Sequence, residues 1–200
     1  MKSPLRYQIT EYDNGAVSLL NCLSYLFERE EMPSELVRVV SIYSLDTYDK
    51  KGKLDSNSSR NVVYSVARWM DEFALQKNIP LKCVYLKGEE ASVYAIADCL
   101  KNGGCVNVKT YLDGEKHYVM VVAVDDEFVY MFDPYFKSKW DYRDSKTIQV
   151  VDNNPFAYNR KVSIEHFLSN KKQEYTLGPE IVREFALFSR VDVTRERELV

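Results

Sequence analysis

Histidine is scarce in this chain of 200 residues, and one of its two histidines sits where chemistry could be done. His117 opens the apolar string HYVMVVAVDDEFVYMFDP, and Asp133 follows 16 residues later in Asp133-Pro134. Two antiparallel strands joined by a tight turn bring the start of one beside the end of the next, so imidazole and carboxylate become neighbours. A carboxylate in that place fixes the tautomer of the base and holds its ring. Gln8 lies six residues before Asn14, and Asn14 stands at the foot of a strongly apolar stretch. Taken singly, each has a plainer reading. His117 could be a structural histidine at a strand end, Asp133-Pro134 a turn, Gln8 a surface residue and Asn14 a helix cap.

The elements that must position these residues follow from periodicity. Ala16, Val17, Leu19, Leu20, Cys22, Leu23, Leu26 and Phe27 cover most of a helix circumference, which predicts a central buried helix over 15–27. Asp13 or Asn14 suits its N-cap. A second helix is expected over 34–43 after Pro33, and a third over 60–76 with Ser58 or Ser59 as cap. Val62, Val63, Val66, Ala67, Met70 and Phe73 fall on one side of the third. The stretch 46–59 is polar and reads as a loop. Beyond Pro80 the pattern predicts a strand at 81–86, a helix at 89–100 stopped by Gly103-Gly104, and strands at 105–112, 117–124 and 128–132. Asp113-Gly114 is a strong hairpin signal and Asp125-Asp126 a fair one. Further strands are expected at 147–151 and 184–191, a short helix at 163–169 that leaves His166 exposed, and a frayed tail over 194–200. The order is α+β, with helices first and a mostly antiparallel sheet after.

The four cysteines, at 22, 83, 99 and 105, have no CxxC spacing and read as buried core thiols in a reducing compartment. Cys22 lies eight residues along the first helix from Asn14, about 12 Å at 1.5 Å per residue. A two-residue turn at Asp113-Gly114 sets His117 opposite Thr110 and leaves Cys105 five residues away, about 17 Å. Cys83 and Cys99 have no spacing that links them to His117. The tyrosine-rich stretch 130–142 reads equally as the lining of a ligand groove or as an aromatic sheet edge.

Gln8, the Asn14-Gly15 helix start, His117 and Asp133 together resemble the papain-like cysteine peptidase superfamily, and within it the bacterial double-glycine leader peptidase-like group. The resemblance runs from about residue 7 to residue 133. In that group a Gln precedes by six residues a Cys-Gly-Pro that opens the central helix. A His then begins a Val-rich strand, and an Asp follows in Asp-Pro. The resemblance implies a single papain-like domain over 1–200, with a cleft between the helical half and the sheet. It implies Gln8 in the oxyanion hole, His117 as general base and Asp133 as the acid that orients it. At the nucleophile position this chain has Asn14, and Ala16 replaces the Pro. An amide does not ionise near pH 7 and is a very poor nucleophile, whereas a thiol at a helix N-terminus beside a His is driven toward thiolate. The implied function is a catalytically silent relative that binds a peptide or protein segment, Gly-Gly-containing as in the group. The alternative is an active hydrolase or acyl transferase in which His117 and Asp133 activate water or an acceptor and Gln8 holds the oxyanion.

Composition narrows the remaining classes. A net charge of −3, from 27 basic and 30 acidic residues, speaks against a nucleic-acid or anionic-membrane binder. Fifteen Tyr and nine Phe speak against disorder. The first 15 residues show no apolar signal region, and the longest strongly apolar uncharged run, 118–124, is far below the ~20 residues of a membrane helix. No cofactor and no metal site is expected, and the expected location is the cytoplasm.

Overall fold

A computed structural model describes residues 1–10, 13–43, 58–143 and 145–192. Helices α1 (Asn14–Leu26), α2 (Ser34–Tyr43) and α3 (Ser58–Lys77) come first. Strand β1 (Lys82–Lys87) and helix α4 (Val93–Lys101) follow, and then strands β2 (Cys105–Leu112), β3 (Glu115–Val124) and β4 (Phe128–Phe132). The chain ends with β5 (Ile148–Val150), β6 (Arg160–Ser163), the single-turn helix α5 (Ile164–Phe167) and β7 (Glu184–Ser189). The strands form one sheet in the order β1-β7-β2-β3-β4-β6-β5, with each pairing antiparallel. The α+β class expected from the sequence is what the structure shows.

The β2–β3 hairpin sets the position of His117. Asp113 and Gly114 both have positive φ, 51° and 83°, as a two-residue hairpin turn requires to match strand twist. Leu112 therefore pairs with Glu115, and Thr110 stands opposite His117. The Thr110 hydroxyl donates to the His117 carbonyl at 3.1 Å, which fixes the backbone there.

Alternation along β3 divides the core in two. Tyr118, Met120 and Val122 pack with Leu19, Leu23, Leu36 and Met70 of the first three helices. Val119 and Val121 face the other way, with Ile96, Phe167, Tyr175 and Phe185. Leu19 and Leu23 are fully buried, and each stabilises the fold by about 1.5–3 kcal/mol. Helices thus cover both faces of the sheet. The contact of α1 with β2 and β3 is packed core, through Cys22, Leu23, Cys105 and Met120.

Several boundaries differ for local reasons. The helix expected over 89–100 is divided into a 3-10 turn at Gly88–Glu90 and α4, because Ser92 accepts a capping bond from the Ala95 N–H at 3.3 Å. The short helix over 163–169 shrinks to one turn because Ser163 already pairs with Phe128 in β6. Strand β6 itself was not expected. His166 is half-buried, with Nε2 2.6 Å from the Glu174 carbonyl oxygen, and so corrects the expectation of an exposed side chain. The loop at 46–59, except its last two residues, and the tail at 194–200 lie outside the described residues, as do the side chains of Ser58, Ser59 and Val62. Among the described residues no helix is long and apolar enough to cross a membrane.

Candidate functional site

The N-terminal segment is laid across the sheet end by a side chain of α1. Asn21 is fully buried and clamps Arg6 from both sides, accepting from its N–H at 2.8 Å and donating to its carbonyl at 2.9 Å. The Leu5 N–H then donates to the Pro155 carbonyl, and the Gln8 N–H to the Pro134 carbonyl at 2.9 Å. Gln8 is thereby placed one residue from Asp133. Its side-chain amide donates from Nε2 to the Thr10 carbonyl at 2.7 Å, while Oε1 is buried and has no partner among the described residues.

Of the two expected N-cap candidates, Asp13 takes the position and Asn14 does not. Asp13 occupies the N-cap position but makes no side-chain capping bond. Its carboxylate instead accepts the N–H groups of Ile9 and Thr10, each at 3.1 Å, and closes the turn before the helix. Asn14 is already the first helical residue, and its Oδ1 accepts the Tyr118 N–H across the gap to β3 at 3.1 Å. Gly15 lies against the same residue, since a Cβ there would sit 3.5 Å from the Tyr118 ring. The start of α1 is pinned one residue from His117.

His117 and Asp133 meet as the 16-residue spacing predicts. His117 Nε2 lies 2.6 Å from Asp133 Oδ1, and both side chains are almost inaccessible. Burial alone would push the Asp133 carboxyl up. The charge and hydrogen bond of His117, with Arg160 and the Tyr175 hydroxyl, outweigh burial and hold the carboxyl below its ordinary value. An ionised carboxylate only accepts, so Nε2 carries the proton, and in that neutral tautomer the lone pair is on Nδ1. A ring held in this way can accept a proton at Nδ1, the chemistry a general base requires.

The carboxylate has further partners that sequence reasoning missed. Asp133 Oδ1 also accepts the Tyr135 N–H at 2.8 Å, and Oδ2 accepts the Tyr175 hydroxyl. Asn159 brackets the Asp133 backbone, accepting from its N–H and donating to its carbonyl, each at 2.8 Å. The Tyr135 contact is local, two residues away, whereas those of Asn159 and Tyr175 span 26 and 42 residues and carry no local signal.

No thiol stands in for a nucleophile. All four cysteines are free and buried. Cys105 faces α1 and points its Sγ at the Cys22 carbonyl, 3.7 Å away. Burial pushes the Cys83 and Cys105 thiols well above their ordinary value, and Cys99 up to about 12.

No family model matches this chain, and no curated protein matches it either. Among solved structures that match, one is a provisionally described C39-like peptidase from Bacillus anthracis. It superposes with a TM-score of 0.49 at 18% identity, over 94% of this chain and 96% of that one. The functional reading rests on the residues of the site itself.

Proposed function

We propose that this chain is a catalytically silent relative of the papain-like cysteine peptidases of the double-glycine leader group, and that it binds a peptide or protein segment. The observation that carries this reading is the His117–Asp133 pair, held at 2.6 Å one residue from a helix that opens on Asn14. Base and orienting acid are kept, and the position a thiolate would occupy is filled by an amide with its oxygen engaged by β3. Loss of a nucleophile from a related triad costs on the order of 10⁶ in turnover, so binding is what the site retains. The rim supports an apolar contribution to that binding. Tyr7 and Phe136, next to Gln8 and Pro134, are substantially exposed and pack edge to face at 5.5 Å. Calorimetric titration with peptides ending in Gly-Gly tests the reading. Saturable binding that weakens on Tyr7→Ala is expected, and no heat with any such peptide would sink it.

One observation favours the alternative of retained hydrolysis or acyl transfer. Asp133 is fully paired and ionised beside His117, which is what a base acting on water needs. Against it, one of the two N–H groups of the Gln8 amide is taken by the Thr10 carbonyl, which leaves a single N–H there for an oxyanion. Turnover abolished by His117→Ala and untouched by thiol alkylation would favour the alternative.

A further inference from the structure

Tyr175 combines a strained backbone with a buried hydroxyl aimed at the acid of the site. Its φ is 56°, in the left-handed region where a bulky aromatic residue is a genuine outlier. The side chain is completely buried, and the Tyr175 N–H donates to the Tyr111 carbonyl at 2.9 Å. The conformation belongs to a turn closed by the Thr176 N–H, which donates to the Gln173 carbonyl at 3.1 Å, and the turn directs the ring inward. The hydroxyl donates to Asp133 Oδ2 at 2.5 Å and in turn accepts from Arg160 Nε at 3.2 Å.

Arg160 is itself almost wholly buried, and its guanidinium is committed to fixed acceptors. Nη1 donates to the Asn159 carbonyl at 2.9 Å, and Nη2 to the carbonyls of Tyr135 and Lys137 at 3.2 and 3.4 Å. A buried cation with no carboxylate against it among its hydrogen-bond partners is costly, and here one tyrosine hydroxyl bridges it to the Asp133 carboxylate, whose opposite charge offsets part of that cost. The line converges on the Asp133 carboxylate, with Arg160 Nε–H donating to Tyr175, the Tyr175 O–H to Oδ2, and the His117 Nε2–H to Oδ1 from the other side. With Oδ2 occupied by Tyr175, Oδ1 is left for His117 and the Tyr135 N–H, and the carboxyl plane cannot turn without breaking several bonds at once.

We propose that Tyr175 and Arg160 are positioning residues that lock the Asp133 carboxylate and so hold His117 as the Nε2–H tautomer with Nδ1 turned out as the free lone pair. The inference rests on His117 and Asp133 being base and orienting acid. It adds the device that keeps them so.

The test uses the scarcity of histidine. With only His117 and His166 in the chain, ¹⁵N-histidine labelling gives two ring systems, assigned by His117→Ala. Wild type should show a protonated Nε2 and an unprotonated Nδ1 at His117 above neutral pH. Tyr175→Phe keeps the ring and removes the hydroxyl, and both His117 nitrogens should then move toward the average of mixed tautomers. His166, bonded to the neighbouring Glu174 carbonyl, should keep its signals and report that the segment is still folded. In an Asn14→Cys background the same substitution should slow labelling of position 14 by about tenfold, the effect of one charge-assisted hydrogen bond. If Tyr175→Phe does not fold, Arg160→Lys keeps the charge, loses the Nε donor and is read the same way. A fixed wild-type tautomer indifferent to both substitutions overturns the brace and leaves the reading of the site intact. A wild-type His117 with no tautomer preference overturns both.

Discussion

The Tyr118 backbone N–H donates to the Asn14 side-chain oxygen at 3.1 Å, so the first residue of α1 is stitched to the residue after His117. Asn14 is therefore a working part of the fold. Asn14→Cys and Asn14→Ala should each lose about 0.5–1.5 kcal/mol, the net worth of one hydrogen bond, whereas Asn14→Asp keeps the acceptor and should lose less. Urea unfolding midpoints of the three variants check the order.

The low-pH behaviour should be dominated by Asp133 among the site residues. Its folded-state carboxyl titrates below its ordinary value of 3.8, since His117, Arg160 and Tyr175 outweigh burial. The group whose folded value is depressed contributes stability that is full above the unfolded value and is lost as pH falls through the folded one. Asp133→Asn should accordingly be less stable than wild type at neutral pH. The gap should narrow as pH falls below about 4, the ordinary carboxylate value. Unfolding curves for the pair from pH 7 to pH 2.5 decide it, and a gap independent of pH would refute the assignment.

All four thiols should be silent in the folded protein. Cys83, Cys99 and Cys105 are pushed up by burial, and Cys22 has no exposed surface. A disulfide reagent at pH 8 should titrate no thiol rapidly in native protein and four after denaturation. A fast native thiol would point to an open core.

The seam where β7 enters the sheet depends on a buried ion pair. Lys109 Nζ lies 2.5 Å from Glu184 Oε1, and Tyr85 donates to the other oxygen at 3.1 Å. Glu184→Ala strands the lysine charge and should cost about 3–5 kcal/mol, seen as a large drop in thermal midpoint.

Much of the site was legible because it is local or nearly so. Asp113-Gly114 dictates a hairpin, the hairpin dictates the Thr110–His117 register, and a 16-residue spacing brings Asp133 to His117. The apolar run after Asn14 announces a buried helix for the same reason. What escaped is non-local or carries a misleading residue type. Strand β6 is four residues long and begins Arg-Lys, yet Arg160 is buried because its charge has fixed acceptors. The insertion of β7 between β1 and β2 pairs residues 77 to 107 apart in the chain, a choice no periodicity encodes. Asn14 looked like a cap because Asn is a good one. Its oxygen went to Tyr118 because the helix had already begun.

The most direct test of the account is a gain of thiol at position 14. Asn14→Cys, with and without His117→Ala, is treated beside wild type with a substoichiometric electrophilic thiol probe. The account predicts rapid labelling at position 14 that His117→Ala abolishes, against a silent wild type. Slow labelling indifferent to His117 would mean that helix start and base do not form one site, and the peptidase-like reading would fall.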